Sequence, residues 1–317
     1  MSEADVKVAV VGCGYWGKNL VRNFAELGAL GAVVDGRPEV AADMSAKYGA
    51  PARSYEEVLA DPGIAGVVIA APAELHAELA LKAFDAGKHV YVEKPIALSV
   101  ADGETMKDAA IKAGRQLMVG HLLRYHPAFE ALLEFVQGGG IGEVRYAYSN
   151  RLSLGKFRVE ENVLWSFAPH DVSMLLALMG ERPSAVRISG GAYVTPGIED
   201  ESRIDMDFAS GRRAHVFTSW AHPFKEQRLV VVGSTGAAAF EDSLSGADKL
   251  RVWRHSIDTS GREPIPVKAE PEHLPFGNGE PLRQECAHFI SCCATNTTPR
   301  TDADEALAVL SVMTGAV

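Results

Sequence analysis

The residues Gly12-Cys13-Gly14-Tyr15-Trp16-Gly17 space three glycines as G-x-G-x-x-G. At a strand-to-helix junction this spacing has a physical use. It permits a tight turn, lets the backbone approach a pyrophosphate closely and lets a helix pack tightly on its strand. The helix N-terminus then faces the phosphates. The flanks supply that context. Residues 6–11 (VKVAVV) are mostly apolar, and residues 16–27 carry Leu20, Phe24 and Leu27 on one helical face. Asp35 ends the next apolar run, about 20 residues on. A carboxylate there accepts hydrogen bonds from ribose hydroxyls and repels a 2′-phosphate, so NAD is expected rather than NADP. Arg37, two residues later, can soften that preference.

Further along, Ala71 and Pro72 follow a buried run, at the strand end where such sheets bind ligands. His76 follows in the first turn of a helix, either facing the cofactor or solvated. His170, in WSFAPHD (residues 165–171), is a candidate base. Oxidising a secondary alcohol requires hydride loss to a nicotinamide and proton loss to a base. An imidazole with an ordinary pKa near 6.5 suits the second role. Asp171 is adjacent, but neighbours on a helix point in different directions. Arg151, Lys156 and Arg158 form a local basic cluster on an acidic chain. Either they hold a carboxylate or diphosphate or they are a solvated face. Asn150, Asn162 and Trp165 could add hydrogen bonds and a stacking surface for a sugar, and Trp165 equally suits a core. No Cys/His cluster has metal-ligand spacing, so no metal is expected.

The elements that must position these groups fall into two regimes. Up to residue 120, buried strands alternate with helices. Strands are expected at 6–11, 30–34, 66–70, 89–92 and 116–119, and helices at 16–27, 38–48, 55–59, 74–86 and 99–112. That alternation argues for a doubly wound parallel sheet, an α/β Rossmann domain over residues 1–120. After residue 120 comes a helix at 127–136, then strands at 143–154, 185–194, 203–208, 213–220, 228–232, 237–240 and 250–254. One helix at 169–179 interrupts them, and two more, at 282–294 and 303–314, end the sequence. Short turns between neighbouring strands predict a large, mostly antiparallel open sheet in an α+β domain over residues 121–317. Residues 256–279, rich in Pro, Gly and charge, read as a surface loop or an arm to another subunit.

Composition sets bounds on partners. The net charge is −10, which disfavours nucleic acid and anionic membranes. No run reaches the roughly 18 apolar residues of a membrane span, and the start of the sequence has no signal-peptide pattern. The four cysteines, Cys13, Cys286, Cys292 and Cys293, show no disulfide or zinc spacing. A cytoplasmic protein is expected.

The glycine turn, the Ala-Pro after the 66–70 strand, Glu93-Lys94-Pro95 at a strand end and Gly120-His121-Leu122-Leu123-Arg124-Tyr125 with Pro127 together carry a resemblance. The chain resembles the family of glucose–fructose oxidoreductase, inositol dehydrogenase and related enzymes, over essentially its whole length. The resemblance implies that Lys94 lies beside the nicotinamide and the reacting carbon, that Glu93 helps to position the cofactor, and that Arg124 belongs with the substrate residues. Alone, Lys94 would read as a solvated lysine at a strand end. The family pattern D-x-G-x-H-x-x-D is met at His170 but departs at Ser166, Ala168 and Ser173, which bears on how the histidine is oriented. Residues 148–171 and 219–233 are similar to one subgroup, the UDP-N-acetylglucosaminuronate 3-dehydrogenases of bacterial surface-polysaccharide synthesis. That similarity implies oxidation of a C3 hydroxyl to a ketone. His170 would act as base with Lys94 assisting, or with these roles exchanged, in a homodimer or homotetramer. Two alternatives stand. One is a sugar ketoreductase, or a UDP-glucuronate, inositol or free-sugar dehydrogenase of the same family. The other is a non-catalytic NAD-binding regulator.

Overall fold

The computed structural model describes residues 2–317. They form two compact units, residues 2–125 with Gly279–Leu310, and His126–Asn278 with Ser311–Val317. The helix near residues 282–294, expected with the second domain, therefore belongs to the first unit.

The first unit is built on five parallel strands: β1 (Val8–Val11), β2 (Leu30–Val34), β3 (Gly66–Ile69), β4 (His89–Val92) and β5 (Leu117–Val119). Their order is β2-β1-β3-β4-β5. All residues of β1, β3, β4 and β5 are buried. That explains their continuous apolar runs, because helices cover both faces of a parallel sheet. Those helices are α1 (Gly17–Glu26), α2 (Pro38–Tyr48), α3 (Tyr55–Ala60), α4 (His76–Asp85) and α5 (Val100–Ala113). Local signals set their ends. Pro38 starts α2, and Gly49, in the left-handed region at φ 74°, ends it. Ser99 Oγ accepts from Asp102 N at the start of α5. The expected 74–86 helix is split. Residues Ala73–Leu75 form a 3-10 turn, and the α-helix begins at His76.

The second unit begins with α6 (Pro127–Gln137) and β6 (Val144–Leu154), followed by α7 (Val163–Met179). Its strands are β7 (Pro183–Gly191), β8 (Glu201–Phe208), β9 (Arg213–Ser219), β10 (Ala221–Gly233), β11 (Ala237–Glu241), β12 (Leu250–Trp253), β13 (Ser256–Asp258), β14 (Ile265–Val267) and β15 (Glu272–His273). Eight of them form one sheet, ordered β15-β12-β11-β10-β6-β9-β8-β7. Every pairing in it is antiparallel except β6 with β9. The segment read as a loop or arm contains a small hairpin of β13 and β14.

Two spans differ from the sequence reading for identifiable reasons. The helix expected from Pro169 begins six residues earlier, at Val163, where Asn162 Oδ1 accepts from Trp165 N. Pro169 lies inside α7 and gives no N–H to the carbonyl one turn back. The helix survives because nearly all of it is buried against the sheet. β10 is longer than the expected 228–232 strand because it pairs with β6 back to Leu154, across an irregularity between Ala221 and Glu226.

The last helices are α8 (Pro281–Thr295) and α9 (Ala303–Thr314). Phe289 of α8 meets Phe24 of α1 edge-on, with ring centroids 6.4 Å apart. Both rings are fully buried, as are Leu20, Val8 and Val10 of the same cluster. Burying a side chain of this size contributes about 1.5–3 kcal/mol, so α8 is integral to the core of the first unit.

Candidate active site

Reversal of strand order at β1 opens a crevice at the carboxyl ends of β1 and β3, the position where such sheets bind nucleotides. The glycine turn leaves β1 there. Gly12 has φ +89°, and a Cβ on it would lie 2.6 Å from Ala71 N. It must be glycine both for its backbone angle and because the Ala71 chain passes against it. A Cβ on Gly17 would lie 1.8 Å from Gly12 O, so the third glycine lets α1 start directly over the turn. Gly14 has open space except for the Arg37 guanidinium at 3.6 Å from an added Cβ. Tyr15 is exposed at 87% and Trp16 at 36%.

Asp35 follows β2. Its Oδ2 accepts from Cys13 N at 2.8 Å, and its Oδ1 accepts from Arg37 N at 2.9 Å. Arg37 Nε also donates to Oδ1, at 3.2 Å. These bonds hold the carboxyl below its ordinary pKa despite burial, so it is an anion at neutral pH. Arg37 pairs with this carboxylate, and its guanidinium lies beside the glycine turn. Glycine turn, helix start and terminal carboxylate fit the pyrophosphate and ribose of NAD.

Pro72 is exposed and Ala71 half-buried. His76 is buried, with its Nδ1 2.8 Å from Pro95 O and its Nε2 3.0 Å from Ala71 O. Its ring thus braces the loop after β3 against the loop after β4. Burial lowers its pKa. Glu93 and Lys94 follow β4 and are half-buried, and the Lys94–Pro95 peptide is cis. Glu93 Oε1 accepts from Trp16 Nε1 at 2.6 Å, and Glu93 Oε2 accepts from Lys94 N at 3.3 Å. Burial pushes the Glu93 carboxyl up, against the opposing pull of Trp16 and the Lys94 charge. The side chain at Gly120 must also be absent. A Cβ there would lie 2.7 Å from the Tyr91 hydroxyl and 2.9 Å from Glu93 Oε2.

Arg124 is half-buried, with Nη1 3.4 Å from Glu305 Oε1. His121 Nδ1 lies 2.6 Å from the other oxygen of the same carboxyl. The Arg124 guanidinium is thereby held by the first unit's own C-terminal segment.

In the second unit, His170 is half-buried on α7. The basic cluster is not one surface. Arg151 donates from Nε to Asp171 Oδ2 at 2.5 Å and from Nη2 to Asp171 Oδ1 at 3.3 Å. Asp171 is buried, and Ser149 Oγ donates to its Oδ1 at 2.5 Å. Arg158 is exposed and paired with Glu161 at 2.8 Å, and Lys156 is exposed. Asn150 donates to Glu226 Oε1 at 2.8 Å. Asn162 caps α7 and donates to Glu199 Oε2 at 2.7 Å, while Trp165 is half-buried on the first turn of that helix. The sequence left Arg151 as either a cation for substrate or part of a solvated face, with Asp171 a helix neighbour of His170 pointing elsewhere. The structure makes them one ion pair anchoring the segment next to His170. No spacing rule shows this, because the pairing is between a strand and a helix.

Two residues of the first site went unnoticed in the sequence, Tyr91 and Glu285. The Tyr91 hydroxyl lies 3.1 Å from Glu93 Oε1 and 3.0 Å from Glu285 Oε2. Tyr91 alternates with apolar residues in a buried strand, and Glu285 looks like one more charge on a mixed helix. Among the described residues, no group of three or more His, Cys, Asp or Glu is placed to hold a metal ion, and no helix is long and apolar enough to cross a membrane.

Comparison with known proteins agrees with this geometry. Residues 6–121 match the model of an oxidoreductase family with an NAD-binding Rossmann fold, GFO/IDH/MocA. Residues 129–239 match the model of the C-terminal domain of the same family. The chain is 28% identical to scyllo-inositol 2-dehydrogenase (NAD(+)) of Bacillus subtilis, over 74% of this chain and 73% of that protein. It is 30% identical to UDP-N-acetylglucosamine 3-dehydrogenase of Acidithiobacillus ferrooxidans, over 60% of this chain and 59% of that protein. The crystal structure of aldose-aldose oxidoreductase from Caulobacter crescentus superposes with a TM-score of 0.82 at 25% identity, covering 98% of this chain and 96% of the other. The chain belongs to the GFO/IDH/MocA family of oxidoreductases and carries that family's NAD-binding Rossmann fold.

Proposed function

We propose that this protein oxidises the C3 hydroxyl of a UDP-linked N-acetylglucosaminuronic acid to the 3-keto sugar, with NAD as hydride acceptor. The observation that carries the chemistry is Glu93-Lys94 at the end of β4, tied by Trp16 to the cofactor turn. The nucleotide-sugar assignment draws on the similarity to UDP-N-acetylglucosamine 3-dehydrogenase and on the subgroup resemblance of residues 148–171 and 219–233.

Each residue then has a role its chemistry allows. Asp35 accepts from the ribose hydroxyls, and the turn from Gly12 to Gly17 cradles the diphosphate. Bound NAD supplies the acceptor for the hydride leaving C3. His170 takes the hydroxyl proton, with Lys94 stabilising the developing oxyanion. His76 acts indirectly, by holding the loops of Ala71 and Pro95. Lys156 and Trp165 are the substrate contacts we favour. Arg151, Asn150, Asn162 and Arg124 support the site through Asp171, Glu226, Glu199 and Glu305.

The engagement of Arg151 with Asp171 favours a second reading, because a cation so occupied is not available to a uronate carboxylate. On that reading the substrate is a neutral cyclitol or free sugar. A cytoplasmic location is supported by four free, buried cysteines. A homodimer or homotetramer is supported by Tyr146, Ile188 and Phe224, exposed apolar residues on strands of the large sheet.

The test is NADH absorbance on mixing protein and NAD with UDP-N-acetylglucosaminuronate, UDP-glucuronate, UDP-N-acetylglucosamine or myo-inositol, each with and without 2-oxoglutarate. Turnover with the first alone supports the proposal. Turnover with myo-inositol alone replaces it with the second reading. Tight NAD binding without reduction by any of them leaves the regulator alternative.

A further inference from the structure

Glu285 on α8 is fully buried, at 0% exposure. Its Oε2 lies 3.0 Å from the Tyr91 hydroxyl, and its Oε1 has no hydrogen-bond partner among the described residues. Tyr91 is equally buried, and its ring packs edge-on against Phe289 of the same helix at 5.7 Å. The same hydroxyl lies 3.1 Å from Glu93 Oε1. One phenol therefore sits between two carboxyl groups.

Counting protons decides what this arrangement is. The phenol has one hydrogen and can donate it to only one carboxyl. To the other it presents a lone pair. With both carboxyls ionised, one would be a buried anion facing a lone pair, its second oxygen facing nothing, which is strongly unfavourable. The conflict disappears when one carboxyl is protonated and donates to the phenol oxygen. Glu93 has the company an anion needs: Trp16 Nε1, Lys94 N and the charge of Lys94. Glu285 has only the phenol. The other titratable groups around it are Cys286 on its own helix and Tyr125 after β5, both kept neutral by burial.

We propose that Glu285 is a positioning residue of the cofactor site, a neutral carboxylic acid that donates its proton to Tyr91, so that the Tyr91 hydrogen is committed to Glu93 and Glu93 stands as the one anion beside Lys94. Burial and the nearby Glu93 charge both push the Glu285 carboxyl up, in the direction this requires. The inference takes from the proposed function only the placing of Glu93 and Lys94 at the cofactor. It is independent of the substrate.

The experiment is infrared difference spectroscopy of the full-length protein at about pH 7, where an ordinary carboxyl is ionised. Wild type shows the carbonyl stretch of one protonated, buried carboxylic acid, and Glu285→Gln lacks it. In Tyr91→Phe the band persists and moves to higher frequency, because the acid has lost its acceptor. A second readout is stability against pH. Wild type holds an extra proton when folded, from the ordinary glutamate value near 4.3 up to the raised folded value. Its stability relative to Glu285→Gln therefore falls as pH rises through that window, by about tenfold in the unfolding constant per pH unit. Glu285→Gln, whose amide N–H replaces the acid O–H toward Tyr91, keeps NAD affinity closer to wild type than Glu285→Leu, which removes that donor, and an equal loss in the two variants overturns the positioning role. Absence of the band in wild type, its survival in Glu285→Gln or a stability difference flat with pH overturns the proposal. None of these readouts uses a sugar, so their failure is distinct from failure of the substrate assignment.

Discussion

The Trp16 indole donates from Nε1 to Glu93 Oε1 at 2.6 Å. This bond joins the turn after β1 to the strand end after β4. The bond thus orients Glu93, next to Lys94, relative to the glycine turn that we propose seats the cofactor. Trp16→Phe keeps most of the ring and deletes the donor. A hydrogen bond to a charged group contributes about 1.5–3 kcal/mol when buried and less at this partly exposed site. NAD binding is expected to weaken by about five- to tenfold, measured by calorimetric titration. Unchanged affinity would show that the link has no part in cofactor binding.

Gly120 is constrained by the same cluster. A methyl at this position would meet the Tyr91 hydroxyl and the Glu93 carboxyl at under 3 Å. Both neighbours are held by other bonds, so neither yields easily. Gly120→Ala is expected to destabilise the protein by about 1–3 kcal/mol and to weaken NAD binding, read by thermal unfolding with and without NAD. The backbone angle at Gly120 plays no part in this, unlike at Gly12.

Arg151 and Asp171 should behave as a buried pair. Their side chains are 12% and 1% exposed. Arg151→Ala leaves a buried carboxylate uncompensated and is expected to cost about 3–5 kcal/mol. Arg151→Met combined with Asp171→Leu should recover much of that loss, because neither charge is then stranded. Denaturant unfolding of the three proteins checks this. A single variant of native stability with a raised substrate KM would instead make Arg151 a substrate cation.

How far the sequence speaks can be judged from these same residues. The alternation of buried strands and helices up to residue 120 was legible because each element carries its own period and its own cap, as at Pro38, Gly49 and Ser99. The glycine turn and Asp35 were legible because their use depends on local spacing. Pro169 misled, since its intrinsic cost argues for a helix start, and burial of α7 outweighs that cost. Trp16 with Glu93, Arg151 with Asp171 and Tyr91 with Glu285 were hidden. Each pairs residues of different elements, 77, 20 and 194 positions apart. The basic cluster at 151–158 looked like one surface in the sequence, because charge is visible there and its partner is not.

Acid stability should be limited in part by His89. It is 4% exposed, its Nδ1 accepts from Gln116 N at 3.1 Å, and burial beside Arg115 lowers its pKa to about 4. The unfolded chain takes up a proton near pH 6.5, and the folded one only near the lower value. Stability contributed by neutral His89 is therefore complete above about pH 6.5 and is lost as pH falls towards 4. The loss is about 3 kcal/mol at most. His89→Gln should remove this part of the pH dependence, measured as unfolding free energy at a series of pH values. An unchanged slope would assign the acid sensitivity to other groups.

The proposed function turns on hydride transfer from C3 of a UDP-linked uronate. UDP-N-acetylglucosaminuronate carrying deuterium at C3 should be mixed with enzyme and NAD in a single turnover, and the reduced nicotinamide analysed by mass spectrometry. The deuterium is expected on the reduced cofactor, with a 3-keto sugar formed in equal amount. Reduced cofactor without the label, or no reduction by a protein that binds NAD tightly, would contradict that function.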